Sequence, residues 1–282
     1  MGVNQILMVR PDAAHTLALF ERGERSVSLL LVLLASLGAV VVLMTITALV
    51  SRQVGRIAVV DVVWGPGFVL VAVVSATLGD EPVRWLLLTM VGVWGLRLAW
   101  HIGKRQLAHP EEDPRYAKML GDGGFGAAVR RVFLVQGLAM WFVSLPVQVA
   151  AVSGTRWTWL VWLGVAVWLV GMVFESVGDA QLSAYKKDPD RPPAMDRGLW
   201  GWTRHPNYFG DSAVWWGIWL VGGLAGGLLP ALTFVSPAVM TYFLVSATGA
   251  RLLETSMMKR PGYPEYAERT SMFFPLPPKR VS

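Results

Sequence analysis

Arg197-Gly198-Leu199-Trp200-Gly201-Trp202-Thr203-Arg204-His205-Pro206-Asn207-Tyr208-Phe209-Gly210-Asp211 marks the place where a polar, proline-rich loop, Lys186 to Pro206, turns into an apolar helix beginning near Asn207. A loop entering a membrane helix ordinarily carries one or two interfacial aromatic residues and a basic anchor. This one holds Arg, His, Asn, Tyr and Asp within eight residues, more polar chemistry than anchoring requires. Pro206 biases His205 away from helical backbone and is itself suited to a helix start. Beyond it, Asn207, Asp211 and Trp215 fall at i, i+4 and i+8 and share one helical face. A helix N-terminus flanked by Arg204 and His205 suits an anionic group such as a phosphate. An interfacial aromatic belt with a basic anchor is the plainer reading of the same residues.

Composition sets the class around that stretch. The 282 residues are 54% hydrophobic and 16% charged, with 14 Trp, whereas soluble domains carry about 25% charged residues. This is a membrane composition. The net charge of +6 could suggest nucleic acid, but the placement of the basic residues points to loops facing anionic lipid and anionic cofactors. With no cysteine, disulfides, thiolate nucleophiles and cysteine metal sites are excluded.

Residues 1–26 are mixed in character and read as an N-terminal interfacial segment. The apolar run Val27–Val50 is too long for a signal-peptide core and spans about 36 Å as a helix, enough to cross a bilayer. Six further spans are expected near Ile57–Leu78, Val83–Ile102, Val132–Val152, Trp157–Gly178, Asn207–Leu228 and Pro230–Leu253, the last two as a tight hairpin turning at Gly226-Gly227 and Pro230. The fold is therefore expected to be all-α and polytopic, a single seven-span domain over residues 27–282. Of the 25 Lys and Arg, 19 fall in the loops 51–56, 103–131 and 179–206 and in the tail from 251. The positive-inside rule then puts the N-terminus outside and the C-terminus in the cytoplasm.

Asp61 stands early in the second span, and Asp61, Trp64, Gly65 and Phe68 share a face. An ionisable residue there costs roughly 2.5–3.5 kcal/mol on insertion scales and reads as functional by default. A carboxyl held in an apolar wall can stay protonated at neutral pH and donate a hydrogen bond. A structural partner for Arg97 or Arg56 is the alternative. The third span carries Trp94, Arg97, Trp100 and His101, with Arg97 either snorkelling to headgroups or reaching substrate. In the following loop, the adjacent carboxylates of Glu111-Glu112-Asp113-Pro114-Arg115-Tyr116 do not have the spread of a metal site. The glycine-rich 121–126 lacks the strand and helix context of a nucleotide fingerprint and reads as a flexible lid or connector. Glu175, Asp179, Leu182 and Lys186 share one face at the end of the fifth span, either as a solvated helix end or as a site. Arg251 and Glu254 share a face at the end of the last span, ahead of Tyr263-Pro264-Glu265-Tyr266; an interfacial amphipathic tail is the alternative. No Ser-His-Asp set and no HExxH pattern occurs, and four His give little material for a metal site.

The run Gly198-Leu199-Trp200, Arg204-His205-Pro206-Asn207-Tyr208-Phe209-Gly210-Asp211 resembles the signature of the steroid 5α-reductase C-terminal domain superfamily. The likeness is to its bacterial membrane branch, with sterol reductases and, more distantly, isoprenylcysteine carboxyl methyltransferases as relatives. It is strong over 198–216 and extends moderately over roughly 55–275. The resemblance implies NADPH as cofactor and a lipophilic substrate whose carbon–carbon double bond is reduced. Lys186, Arg204, His205 and Arg251 would hold phosphates. Asp179, Asn207, Tyr208 and Asp211 would hold sugars and the nicotinamide amide, with Trp215 walling the ring. Arg115, Tyr116 and Glu254 complete the expected cofactor contacts. Asp61, matched by place, would act as acid toward the substrate, with Trp64, Phe68, Trp94 and Arg97 as substrate contacts. Steroid reductases place a Tyr in the region of the third span to share the substrate carbonyl; this span has none. The alternatives are an S-adenosylmethionine-dependent methyltransferase on the same scaffold and a non-catalytic lipid-binding protein. Neither nucleic acid nor a metal is expected as partner.

Overall fold

In the computed structural model, residues 13–108, 111–247 and 249–279 are described, with side chains from Ser28 onward. Helix α1 covers Ala13–Val54, α2 Val59–Leu78, α3 Val83–Ala108 and α4 Pro114–Leu120. Helix α5, Gly124–Val143, contains a π-helical turn at Val129–Phe133. Then come α6, Leu145–Ala150, α7, Thr158–Lys187, and α8, Pro206–Gly222. The α9 segment, Leu228–Met257, is a succession of short helical pieces, and α10, Tyr263–Arg269, closes the chain. Among the described residues there is no strand. Six helices are long and apolar enough to cross a membrane: Ser28–Val54 of α1, α2, α3, α5, α7 and α9. The protein is an all-helical integral membrane protein.

Sequence periodicity accounts for the membrane-facing surfaces. On α1 the buried positions Val32, Ser36, Val40, Met44, Thr47 and Ser51 recur every three or four residues, while Leu30, Leu34, Val41, Ile46 and Leu49 are exposed, as a helix with one protein-facing stripe requires. Several hydroxyls inside the apolar helices are satisfied locally. Those of Thr45, Thr47, Ser75, Thr89 and Ser144 each donate to the carbonyl four residues earlier.

Three expectations change. Residues 1–12 of the N-terminal segment lie outside the described residues, and from Ala13 the helix runs through residue 27 into the first span. The fourth span begins at Gly124, eight residues before its expected start. The Ala127-Ala128 pair is buried, and the chain stops at Ser144 ahead of Pro146, where α6 takes over. Gly124–Gly126 are therefore the first turn of α5, not part of a lid. The sixth expected span, Asn207–Leu228, forms the 17-residue α8, about 25 Å long, shorter than the roughly 30 Å hydrocarbon core.

Its brevity has a structural reason. Helix α8 packs against α3, α6, α7 and α9 and buries residues on every side. Gly164, Gly171 and Gly178 on α7 recur at seven-residue intervals and face Gly217, Gly210 and Pro206 on the antiparallel α8. A Cβ on Gly171 would lie 2.6 Å from the Gly210 carbonyl oxygen and from the Val214 nitrogen. The backbones approach as small-residue membrane interfaces allow. The turn into α9 uses Gly227 at φ +113°, close to the Gly226-Gly227 hairpin read from the sequence.

The loops gather at two ends of the bundle. At one, the backbone N–H groups of Asp80 and Glu81 donate to the Ala151 carbonyl, and those of Arg156 and Trp157 to that of Ala225. At the other, Gln106 donates to Ala58, Arg115 to Asp61, Arg97 to Asp179, and Arg204 to Glu254. The latter is the basic end, where the four lysine- and arginine-rich loops meet.

Candidate functional site

Helix capping builds the first of three networks at the basic end. The Glu112 carboxylate accepts from the N–H groups of Ile57 (2.5 Å) and Ala58 (3.1 Å), donors at the α2 N-terminus that lack helical partners. Asp113 caps α4 by accepting from the Arg115 N–H (2.9 Å). With α4 so fixed, the Tyr116 hydroxyl donates to Asp61, and Arg115 donates to Asp61 (3.2 Å) while gripping Asp113 (3.0 and 2.8 Å). Gln136 of α5 donates to the phenolic oxygen (3.2 Å). Burial, with the Asp61 charge beside it, pushes the Tyr116 phenol far above its ordinary value, so Tyr116 keeps its proton. Arg115 and Tyr116, not Arg97, are the partners of Asp61. The Glu112 and Asp113 carboxylates are thus capping devices, a role not read from the sequence.

The second network lies where α3 meets α7 and α8. Trp94 donates its indole N–H to Glu175 (3.0 Å), and Arg97 donates to the Glu175 carboxylate (2.5 Å), the Glu175 carbonyl (3.2 Å) and Asp179. Asn207 donates to Asp179 (3.3 Å), and His101 Nε2 stands 3.6 Å from it. Arg97 therefore turns inward, neither snorkelling to headgroups nor facing an open substrate space. A single guanidinium serves Glu175 and Asp179, with buried Asp211 within its electrostatic reach. Asp211 Oδ1 and the Trp215 indole N–H are buried without a hydrogen-bond partner among the described residues.

Below this network the aromatic rings close on one another. Phe68 lies 4.6 Å from Trp215 and 4.9 Å from Trp64, and Trp94 lies 5.2 Å from Trp215. Phe68, Trp94 and Trp215 are at most 1% exposed. The expected substrate contacts Trp64, Phe68 and Trp94 and the expected ring wall Trp215 are a packed floor, because large aromatic faces bury most area against each other.

The third network fastens the tail. Arg204 binds Glu254 in the two-pronged fashion (2.7 and 2.8 Å) and donates to the carbonyls of Ala267 (2.7 Å) and Thr270 (2.6 Å). His205 Nε2 is 3.1 Å from the same carboxylate, and Tyr263 donates to it (3.4 Å). Tyr266 donates to the Trp200 carbonyl (2.6 Å), and Thr203 to that of Phe273 (2.8 Å). Arg204 and His205, expected to hold phosphate, are consumed by Glu254 and the tail. The Arg204 guanidinium spends four of its five N–H donors on these partners. Tyr208 stacks on His205, ring centroids 5.5 Å apart. Arg251 is exposed.

The cations left over are others. Lys186 lies within electrostatic reach of Arg105, Arg260 and Asp179, and Arg105 also within reach of Asp61, His101 and Tyr208. Arg105, Lys186 and Arg260 are exposed and have no ion-pair partner within 4 Å among the described residues. They form a positive rim between the first two networks. Of these, only Lys186 was singled out from the sequence. Arg105 had a legible signal, since Arg97, His101 and Arg105 fall at i, i+4 and i+8 on one face of α3. Gln136 and Arg260 carried none.

A bundle of apolar helices with ionic networks buried at one end defines a polytopic membrane protein with a polar site at its basic end. The chain belongs to the family described as "Protein of unknown function (DUF1295)", which it matches over residues 47–270. An uncharacterized protein of Schizosaccharomyces pombe is 25% identical over 169 residues, 51% of this chain and 48% of that protein. The chain thus spans about half the length of that relative. No solved structure matches.

Proposed function

We infer that the protein is a membrane reductase of the steroid 5α-reductase type, which uses NADPH to reduce a carbon–carbon double bond of a lipophilic substrate. The observation that carries this reading is the hydrogen-bonded pair of Asp61 and Tyr116, with Arg105 of the unpaired rim of Arg105, Lys186 and Arg260 within electrostatic reach of Asp61. Tyr116 reaches Asp61 from α4 and so supplies the phenol that the third span lacks.

The residues present fit a dinucleotide phosphate. Its phosphates need cations, and the rim offers three without partners. Its sugar hydroxyls and carboxamide need acceptors and donors, which Asp179, Asn207 and the unpartnered Asp211 Oδ1 provide. A buried acceptor left unpaired costs about 1–3 kcal/mol, which a ligand N–H or O–H would recover. When bound, the nicotinamide supplies hydride. The chain's own part is binding, orientation and the proton. As described, Tyr116 donates to Asp61; a proton on Asp61 reverses that bond and frees the phenolic O–H for a substrate oxygen. Arg204, His205 and Glu254 act at one remove in this reading, by holding the tail over the site. With most of the described Lys and Arg in the loops and tail at this end, the positive-inside rule turns the cofactor site toward the cytoplasm of an inner or plasma membrane. The rim also argues against S-adenosylmethionine, which carries no phosphate.

Thermal unfolding of the detergent-purified protein with NADPH, NADH and S-adenosylmethionine tests the reading. A ligand bound only by the folded state stabilises it by about 2.7 kcal/mol at a hundredfold excess over its dissociation constant. NADPH alone raises the melting temperature, and Lys186→Ala and Arg105→Ala each shrink the rise. A rise with S-adenosylmethionine instead would replace the reductase by a methyltransferase.

A further inference from the structure

A pocket of about 340 Å³ opens beside Tyr116, between the end of α1 and the α4–α5 turn. Its volume is at the lower end of small-molecule sites, enough for a headgroup and the first few carbons of a chain. Ile57, Leu120 and Phe125 give it apolar walls. Its polar groups are nearly all spent. Ser51 donates to the Arg56 carbonyl (2.8 Å), Glu112 caps α2, and Tyr116 is bonded to Asp61 and Gln136. Arg52 is the exception. Its guanidinium sits over the Phe125 ring, 5.3 Å from the centroid, and has no hydrogen-bond or ion-pair partner among the described residues. Stacking on an aromatic face orients the group without using its N–H donors. Next to it, Val50 and Val54 of the membrane-facing α1 surface are exposed, so a chain lying in lipid has a continuous apolar path to the pocket.

We propose that this pocket holds the lipophilic substrate and selects an amphiphile with an anionic headgroup, carboxylate or phosphate, bound by Arg52. The Arg52 fork matches either anion with two parallel hydrogen bonds, and the Glu112 charge is turned to, and partly offset by, the N–H groups at the α2 N-terminus. The site places the headgroup at the membrane edge and the adjoining carbons toward Tyr116, which lines the same pocket. This assignment rests on the reductase reading for what happens to the substrate, but not for what binds.

The test measures binding of oleate, oleyl phosphate and oleyl alcohol to the full chain in nanodiscs, with Arg52→Gln, Arg52→Lys and Ala117→Trp variants and a parallel NADPH melting series. At least one of the two acids binds roughly tenfold or more tightly than the alcohol. Whichever acid leads identifies the headgroup. Arg52→Gln removes the preference, Arg52→Lys keeps part of it, and Ala117→Trp, which fills the pocket from an exposed position, abolishes binding of all three. Equal binding of acids and alcohol, or a preference that survives Arg52→Gln, overturns the proposal. A headgroup preference without any NADPH shift sinks the reductase reading and leaves the pocket assignment standing.

Discussion

Replacing Arg97 by alanine removes the only guanidinium that, among the described residues, serves the buried carboxylates of Glu175 and Asp179. Glu175 is 3% exposed and Arg97 itself only 20% by side chain, so little water reaches either end of the pair. The substitution deletes two charge-assisted bonds and the bond to the Glu175 carbonyl, and it leaves Glu175 with the Trp94 indole as its remaining side-chain donor. Breaking a buried ion pair from one side costs about 3–5 kcal/mol, mostly as the penalty on the charge left behind. For a chain of this size that is a fall of roughly 6–20 °C in melting temperature. Reciprocal removal behaves differently. Arg97→Met combined with Glu175→Gln takes out that pair but leaves Asp179 without its cation, so it recovers only part of the loss. The assay is thermal unfolding of the single and double variants in one detergent at one ionic strength. A loss below about 1 kcal/mol for Arg97→Ala, the range of solvent-exposed pairs, would mean that the pair is hydrated and that the account of this network is wrong.

Other perturbations separate scaffold from site. Arg204→Ala releases Glu254 and two tail carbonyls, and limited proteolysis then cuts the 258–279 tail several-fold faster; Arg204→Lys, which lacks the planar fork, does not restore protection. Gly210→Val drives a side chain into the α7 backbone and destabilises by about 1–3 kcal/mol or more, read as lost folded yield and a lower melting point. Lys186→Ala and Arg105→Ala each weaken NADPH binding roughly tenfold, and raising salt narrows the gap between wild type and variant by screening the exposed rim; a salt-independent gap would place these residues away from the phosphates.

The spans were legible because a membrane helix must be long and apolar, a demand that local sequence meets on its own. The Arg204–Asp211 stretch was legible as a site because its polar density exceeds what anchoring needs. Pairing was not. Arg204 meets Glu254 fifty residues away, and nothing local distinguishes a guanidinium awaiting phosphate from one already clamped by a carboxylate. Asp61 illustrates the same limit: its place in the span marked it, while its partner Tyr116 comes from a separate helix fixed by the Glu112 and Asp113 caps. Trp64, Phe68 and Trp94 read as substrate contacts because aromatic residues serve cavities and cores alike, and only the packing of Trp64 on Phe68 and of Phe68 and Trp94 on Trp215 decides between them. The α5 start was missed because four glycines over 121–126 signal a break, whereas burial of Ala127 and Ala128 carries the helix back to Gly124.

The central claim is hydride transfer from NADPH to a membrane lipid, with Tyr116 supplying the acid. The most direct measurement incubates the reconstituted protein with a lipid extract and NADPH deuterated at the transferable position, then follows lipid masses. The account predicts a lipid product heavier by one deuterium and one proton, lost in Tyr116→Phe while NADPH still raises the melting temperature of that variant. Lipids that gain no deuterium from any extract, or equal incorporation by Tyr116→Phe, would contradict it.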